Sequence, residues 1–147
     1  MKRSRICLAL VLALLLCGCS LFRTYEDTNG PTDRSLQTLT VDDMVHSTSH
    51  LAKGATKSLK NGQYDYSFQS LNGVTELMVL QPGDRITLSC SVTRGNARLA
   101  LCSEDELVYD FALDAESQQF IFSQTEGRLS LRLAGEDCSA VLHFTVD

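Results

Sequence analysis

RITLSCSV, residues 85–92, alternates without a break: Ile86, Leu88, Cys90 and Val92 on one side, Arg85, Thr87, Ser89 and Ser91 on the other. A period of two marks a strand with one buried and one wet face. The pattern extends in both directions. Upstream, Tyr64, Tyr66 and Phe68 alternate, Asn72-Gly73 carries the dipeptide favoured in tight hairpins, and Val74 to Leu80 follows. Gln81-Pro82-Gly83-Asp84 reads as a turn, with proline pre-set at its second position and glycine free to take positive φ. Downstream come Leu99 with Leu101; Leu107, Tyr109, Phe111 and Leu113; Phe120 with Phe122; Leu129, Leu131 and Leu133; and Ala140, Leu142, Phe144 and Val146. Turns are expected at Gly95-Asn96, Ser103 to Glu106, Asp114 to Ser117, Glu126-Gly127 and Gly135-Glu136-Asp137. This spacing predicts about eight short strands over residues 60–147, a mainly β chain folded as an antiparallel β-sandwich rather than a βαβ array.

Thr40 to Gly54 (TVDDMVHSTSHLAKG) predicts one short amphipathic helix before the strands. Thr40 can cap it, Asp43 stands in the capping-box position, Lys53 suits the far end and Gly54 can terminate it. Val41, Met44, Val45, Thr48, Leu51 and Ala52 share one face and leave Asp42, His46, Ser49, His50 and Lys53 on the other. The preceding stretch, Ser20 to Leu39, is polar and aperiodic with a turn signal at Asn29-Gly30-Pro31, and reads as a flexible tether.

Residues 1–19 (MKRSRICLALVLALLLCGC) join a basic start to an apolar run from Ile6 to Leu16, then small residues. That run would span about 16 Å as a helix, roughly half the hydrocarbon core, which suits a signal segment over residues 1–18 and not a permanent span. Leu16-Cys17-Gly18-Cys19 resembles the lipobox of bacterial lipoproteins, with Cys19 in the acylated position, Gly18 before it and Leu16 three residues upstream. The resemblance implies a diacylglycerol group on Cys19, a tether over residues 19–39, and a location on the extracytoplasmic face of the cell membrane. Two acyl chains suffice for stable anchoring, where one gives only marginal binding.

The 147 residues hold 13 Lys and Arg against 18 Asp and Glu, a net charge of −5. Without Lys2, Arg3 and Arg5 the processed chain has 10 basic against 18 acidic residues, a net of −8. Neutralising phosphates takes clustered cations, so nucleic acid is not an expected partner. Of the six cysteines, Cys7 and Cys17 leave with the signal and Cys19 carries lipid, so Cys90, Cys102 and Cys138 are the disulfide candidates. Three pairings are possible, and three partly buried free thiols are an equal alternative.

The runs GQYDYSFQSLNG (62–73), QPGDRITLSCSV (81–92), LVYDFAL (107–113) and GRLSLRLAGEDCSAVLHFTV (127–146) resemble small β-sandwich domains of lipoproteins from Gram-positive bacteria. Their order of turns and strands is also similar to prepeptidase C-terminal-type and related jelly-roll accessory domains. The resemblance covers residues 60–147 and implies a jelly-roll-like, non-catalytic accessory or binding module. It brings no catalytic residues with it.

The sharpest chemical constellation is Asp42, His46 and His50, at i, i+4 and i+8 of the expected helix, where two imidazoles could grip one Zn²⁺ or Cu²⁺. Glu104-Asp105-Glu106 could offer oxygen ligands to Ca²⁺ from a turn. Tyr64, Tyr66 and Tyr109 could form a carbohydrate platform, although alternation places them in the core. His143 is out of phase with Leu142 and Phe144 and should face solvent or a sheet groove. No nucleophile elbow is present and Cys90 lies on an apolar face, so no catalytic residue and no cofactor is expected. The leading expectation is therefore a non-enzymatic binding or interaction module, lipid-anchored at the cell envelope, with an envelope protein or glycan as partner. A metal-binding protein using the Asp42, His46 and His50 face is second, and a small hydrolase third.

Overall fold

A computed structural model describes residues 34–147, so the signal segment, Cys19 and most of the expected tether lie outside the described residues. Helix α1 (Val41–His46) is followed by β1 (His50–Lys53), β2 (Thr56–Lys60), β3 (Gln63–Leu80), β4 (Arg85–Cys102), β5 (Leu107–Phe111), β6 (Gln118–Ile121) and β7 (Leu129–Val146). All pairings are antiparallel, in the order β1-β3-β7-β4-β5, with β2 also on β3 and β6 also on β4. The protein is mainly β, as its alternation predicts.

The strand count differs from the sequence expectation. Asn72-Gly73, Gly95-Asn96 and Gly135 to Asp137 do not end strands; they are bulges inside β3, β4 and β7, each of which runs for 18 residues. Register shifts fall between Phe68 and Gly73 on β3 and between Val92 and Asn96 on β4, with further ones between Glu76 and Met78 and between Leu101 and Cys102. A bulge needs the same positive-φ chemistry as a hairpin turn, so Gly73 (φ 103°), Gly95 (φ 73°) and Asp137 (φ 48°) serve either purpose. Long-range pairing to β7 decides it here. A Cβ on Gly95 would come within 2.4 Å of the Asp137 carbonyl oxygen, so the strands approach too closely at this crease for any side chain.

The crease divides the sheet into two halves. In the first, β2 and β6 flank residues 63–68, 140–146 and 85–92; in the second, β1 and β5 flank the remainders of β3, β7 and β4. One apolar cluster draws on both, joining Tyr66, Phe144 and Leu88 with Leu77, Leu101 and Leu133. The Tyr66 hydroxyl donates to the Leu77 carbonyl at 2.9 Å, so its polar end is satisfied inside that core.

The outer face of the second half is covered as well. Met44 and Val45 of α1 pack with Val74, Ala100, Cys102 and Ala134, and Leu36 and Leu39 join them. The small side chains of Ala100 and Ala134 let the helix approach the sheet closely. Residues 34–39 are thus docked, not part of a free tether: Ala97 N donates to the Arg34 carbonyl, and Gln37, Thr38 and Leu39 N all donate to the Glu136 carboxylate.

The helix itself stops at His46 instead of reaching Gly54. Thr40 and Asp43 form the expected capping box, but Arg132 Nη1 reaches the carbonyls of Met44 (3.1 Å), Val45 and Ser47 (3.3 Å) at the other end. Residues 50–53 then pair with Ser70 to Gly73 as β1. Of the expected apolar face only Met44 and Val45 are buried, while Leu51 is 79% exposed on the sheet edge. Tertiary pairing overrides helix propensity in a segment too short to hold itself.

Candidate functional site

The outward positions of the first half form a grid set by register. Gln63, Thr145 and Thr87 make one cross-strand row over β3, β7 and β4; Asp65, His143 and Ser89 the next; Ser67, Val141 and Ser91 the third. The middle row carries the chemistry. His143 Nδ1 lies 2.6 Å from Asp65 Oδ1, which also accepts from Gln63 Nε2 at 2.7 Å. The bond to His143 and then that from Gln63 hold the Asp65 carboxyl below its ordinary value, so it is a carboxylate at neutral pH. A carboxylate only accepts, so Nδ1 is the donor in this contact and Nε2 is the ring nitrogen left facing away from Asp65. On the far side of His143, Ser89 Oγ makes no hydrogen bond among the described residues.

A loop makes this face concave. After β5 the chain bends back along β4, with Asp114 in the left-handed region (φ 59°), its amide donating to the Cys90 carbonyl at 2.7 Å and its Oδ1 accepting from Val92 N at 2.8 Å. Gln118 closes the loop by bonding both the amide and the carbonyl of Ala112. The loop overhangs two recesses that share Ser89 and His143: one of about 190 Å³ with Gln63, Thr87 and Ser117, the other of about 270 Å³ with Asp114, Ala115 and Glu116.

His143 faces a groove, as its phase requires. Its partners Asp65 and Ser89 escaped sequence reasoning, because alternation gives the face of each residue but not the register that sets strands beside one another.

The other candidates fare differently. Asp42 and His46 form a 3.5 Å pair on α1, but His50 lies in β1, its Nδ1 3.4 Å from the Thr48 carbonyl, so the three do not share a helix face. Glu104, Asp105 and Glu106 sit on a turn fastened by the Ser103 hydroxyl, which accepts from the amides of Asp105 and Glu106. No group of three or more metal-binding side chains forms among the described residues. Tyr66 is buried and Tyr64 stacks on Phe144 at 5.0 Å, both turned toward the core. Tyr109, expected in the core, is 39% exposed at the edge strand β5, its ring against Phe111 and Phe120. Cys90, Cys102 and Cys138 are each free and buried in this structure. Burial pushes the Cys90 thiol up to about 12 and Cys138 up to about 11, which removes them as nucleophiles. Cys19 lies outside the described residues.

No protein-family model matches the chain, and no curated protein matches it at a significant level.

Proposed function

We propose that this chain is a lipid-anchored binding module of the cell envelope, held on the extracytoplasmic face through Cys19, with the groove around His143 as its recognition surface. The finer architecture belongs to the same reading: the bent sheet works as a jelly-roll-like sandwich, supported by one core cluster that joins both halves across the crease. The observation that carries the binding reading is the concave polar face itself. The Ser89 hydroxyl and Nε2 of His143 make no hydrogen bond among the described residues, and both groups' residues line the two recesses beside the loop that Asp114 pins. Convergent polar groups in a recess are the usual mark of a binding site. An envelope glycan or an extended polypeptide suits a face rich in hydroxyls and amides such as Thr87, Ser89, Ser91 and Gln63.

Two experiments test the two parts. Cys19→Ala should release the protein from the membrane fraction; a variant that sediments with membranes as firmly as the parent chain removes the anchor. Amide shifts recorded while solubilised envelope glycans and peptides are titrated should move at Thr87, Ser89 and His143. Shifts confined to other surfaces, or none with any envelope fraction, overturn the groove as the recognition site.

A further inference from the structure

The cross-strand order Asp65, His143, Ser89 is also the order of roles in a serine acyl-transfer centre, and this goes beyond binding. We infer that Ser89 is a nucleophile toward short, uncharged carboxylic esters, with His143 as its general base and Asp65 as the positioning residue that orients the ring.

Each part rests on a separate observation. Asp65 holds His143 through Nδ1 at 2.6 Å, which leaves Nε2 as the base on the ring's other nitrogen. Ser89 is the direct cross-strand neighbour of His143. Neighbouring Cβ atoms on adjacent strands stand about 4.5–5.5 Å apart, within the range from which a serine side chain turns to an imidazole. The Ser89 hydroxyl has no competing partner among the described residues. Ala115 and Glu116 line the same recess, and the backbone of this loop is the nearest source of donors for an oxyanion. Substrate class follows from the walls: a recess of about 270 Å³ admits a short acyl group, and Asp114 and Glu116 in its lining repel an anionic one.

The chemistry balances with water as the co-reactant. Ser89 Oγ bonds to the ester carbonyl carbon as its proton passes to His143 Nε2. The carbon–oxygen bond to the alcohol then breaks, and His143 returns the proton to the departing alkoxide. Water attacks the acyl-serine with its proton going to Nε2; the Oγ–acyl bond breaks, the carboxylic acid leaves and Ser89 is reprotonated.

The test uses the full chain with an alkyl fluorophosphonate probe and p-nitrophenyl butyrate. The expected result is a single phosphonyl adduct that peptide mapping places on Ser89, absent in Ser89→Ala. Ester turnover should fall by about 100-fold or more in His143→Asn, with an unchanged circular dichroism spectrum. Asp65→Asn should lower kcat and leave KM unchanged, which a merely structural role would not do. Either of two results overturns the proposal: no adduct on Ser89, or an adduct that forms as fast in His143→Asn as in the parent. Neither touches the binding reading, which the amide shifts test independently.

Discussion

Glu136 and Leu39 stand 97 residues apart in sequence and share a 2.9 Å hydrogen bond, the Leu39 amide donating to Glu136 Oε1. The amides of Gln37 and Thr38, the Thr38 hydroxyl and Asn96 Nδ2 donate to the same carboxylate. One side chain at the crease of β7 therefore gathers the segment that leads into the domain. Nothing in the composition of residues 34–39 foretells this, because the partner lies in a bulge whose position only the folded sheet defines.

The carboxylate should make stability depend on acid. Burial raises the Glu136 pKa, but the bonds from Gln37, Thr38 and Leu39 outweigh it and bring the group down to about 2. A folded-state value below the unfolded one means that stability is fully present above about pH 4.5 and is lost as pH falls toward 2. In Glu136→Gln that dependence should flatten, with a loss of about 1–2 kcal/mol at neutral pH. Urea unfolding of both proteins from pH 2 to 7 checks it, and hydrogen exchange at Gln37, Thr38 and Leu39 should accelerate in the variant.

Arg132 performs the matching task at the other end of the helix. Its guanidinium serves the carbonyls of Met44, Val45 and Ser47 and lies 3.7 Å from Glu76, with the side chain only 12% exposed. Arg132→Met keeps the aliphatic stem but takes the guanidinium donor from the Val45 and Ser47 carbonyls and leaves the Met44 carbonyl only the weak Cys102 thiol at 3.8 Å. The expected cost is about 2–4 kcal/mol, with exchange protection lost first over residues 44–47. A thermal melt that matches the parent chain would show that water replaces the guanidinium at no cost.

The crease glycines differ from the turn glycines. Gly62 (φ 79°) has open space around its Cβ position, so Gly62→Ala pays only for its backbone conformation, about 1 kcal/mol. At Gly95 an added Cβ meets the Asp137 and Glu136 carbonyl oxygens at 2.4 and 2.5 Å, and both belong to backbone that cannot swing aside. Gly95→Ala should therefore cost about 3 kcal/mol or more. Equal midpoints for the two variants in chemical denaturation would remove the crease as a site of close packing.

These particulars show what the sequence makes legible. RITLSCSV is readable because burial alternates along it, and so are Leu129 to Leu133 and Ala140 to Val146. His50–Lys53 and Thr56–Lys60 are not, because edge strands exposed at nearly every position carry no alternation to read. Asn72-Gly73 and Gly95-Asn96 show the right conformational chemistry but not its use, since a turn and a bulge ask for the same residues. At the candidate site, the outward face of His143 follows from Leu142 and Phe144, whereas Asp65 and Ser89 become its neighbours only through a register set by the whole sheet.

The three thiols give the last prediction. Cys90, Cys102 and Cys138 are each 1% exposed or less, and burial raises the pKa of all three, to about 12 for Cys90 and about 11 for Cys138. Thiolate is the reactive form, so at pH 8 the native protein should leave these positions unalkylated by iodoacetamide while denatured protein takes up reagent at all three. Peptide mapping after native and denaturing alkylation separates them from Cys7, Cys17 and Cys19. Uptake at only one of the three under denaturing, non-reducing conditions would mean that two have joined as a bridge. Fast native labelling of Cys90 would instead show that the sheet opens at β4, beside the groove that Asp114 and Ser89 share.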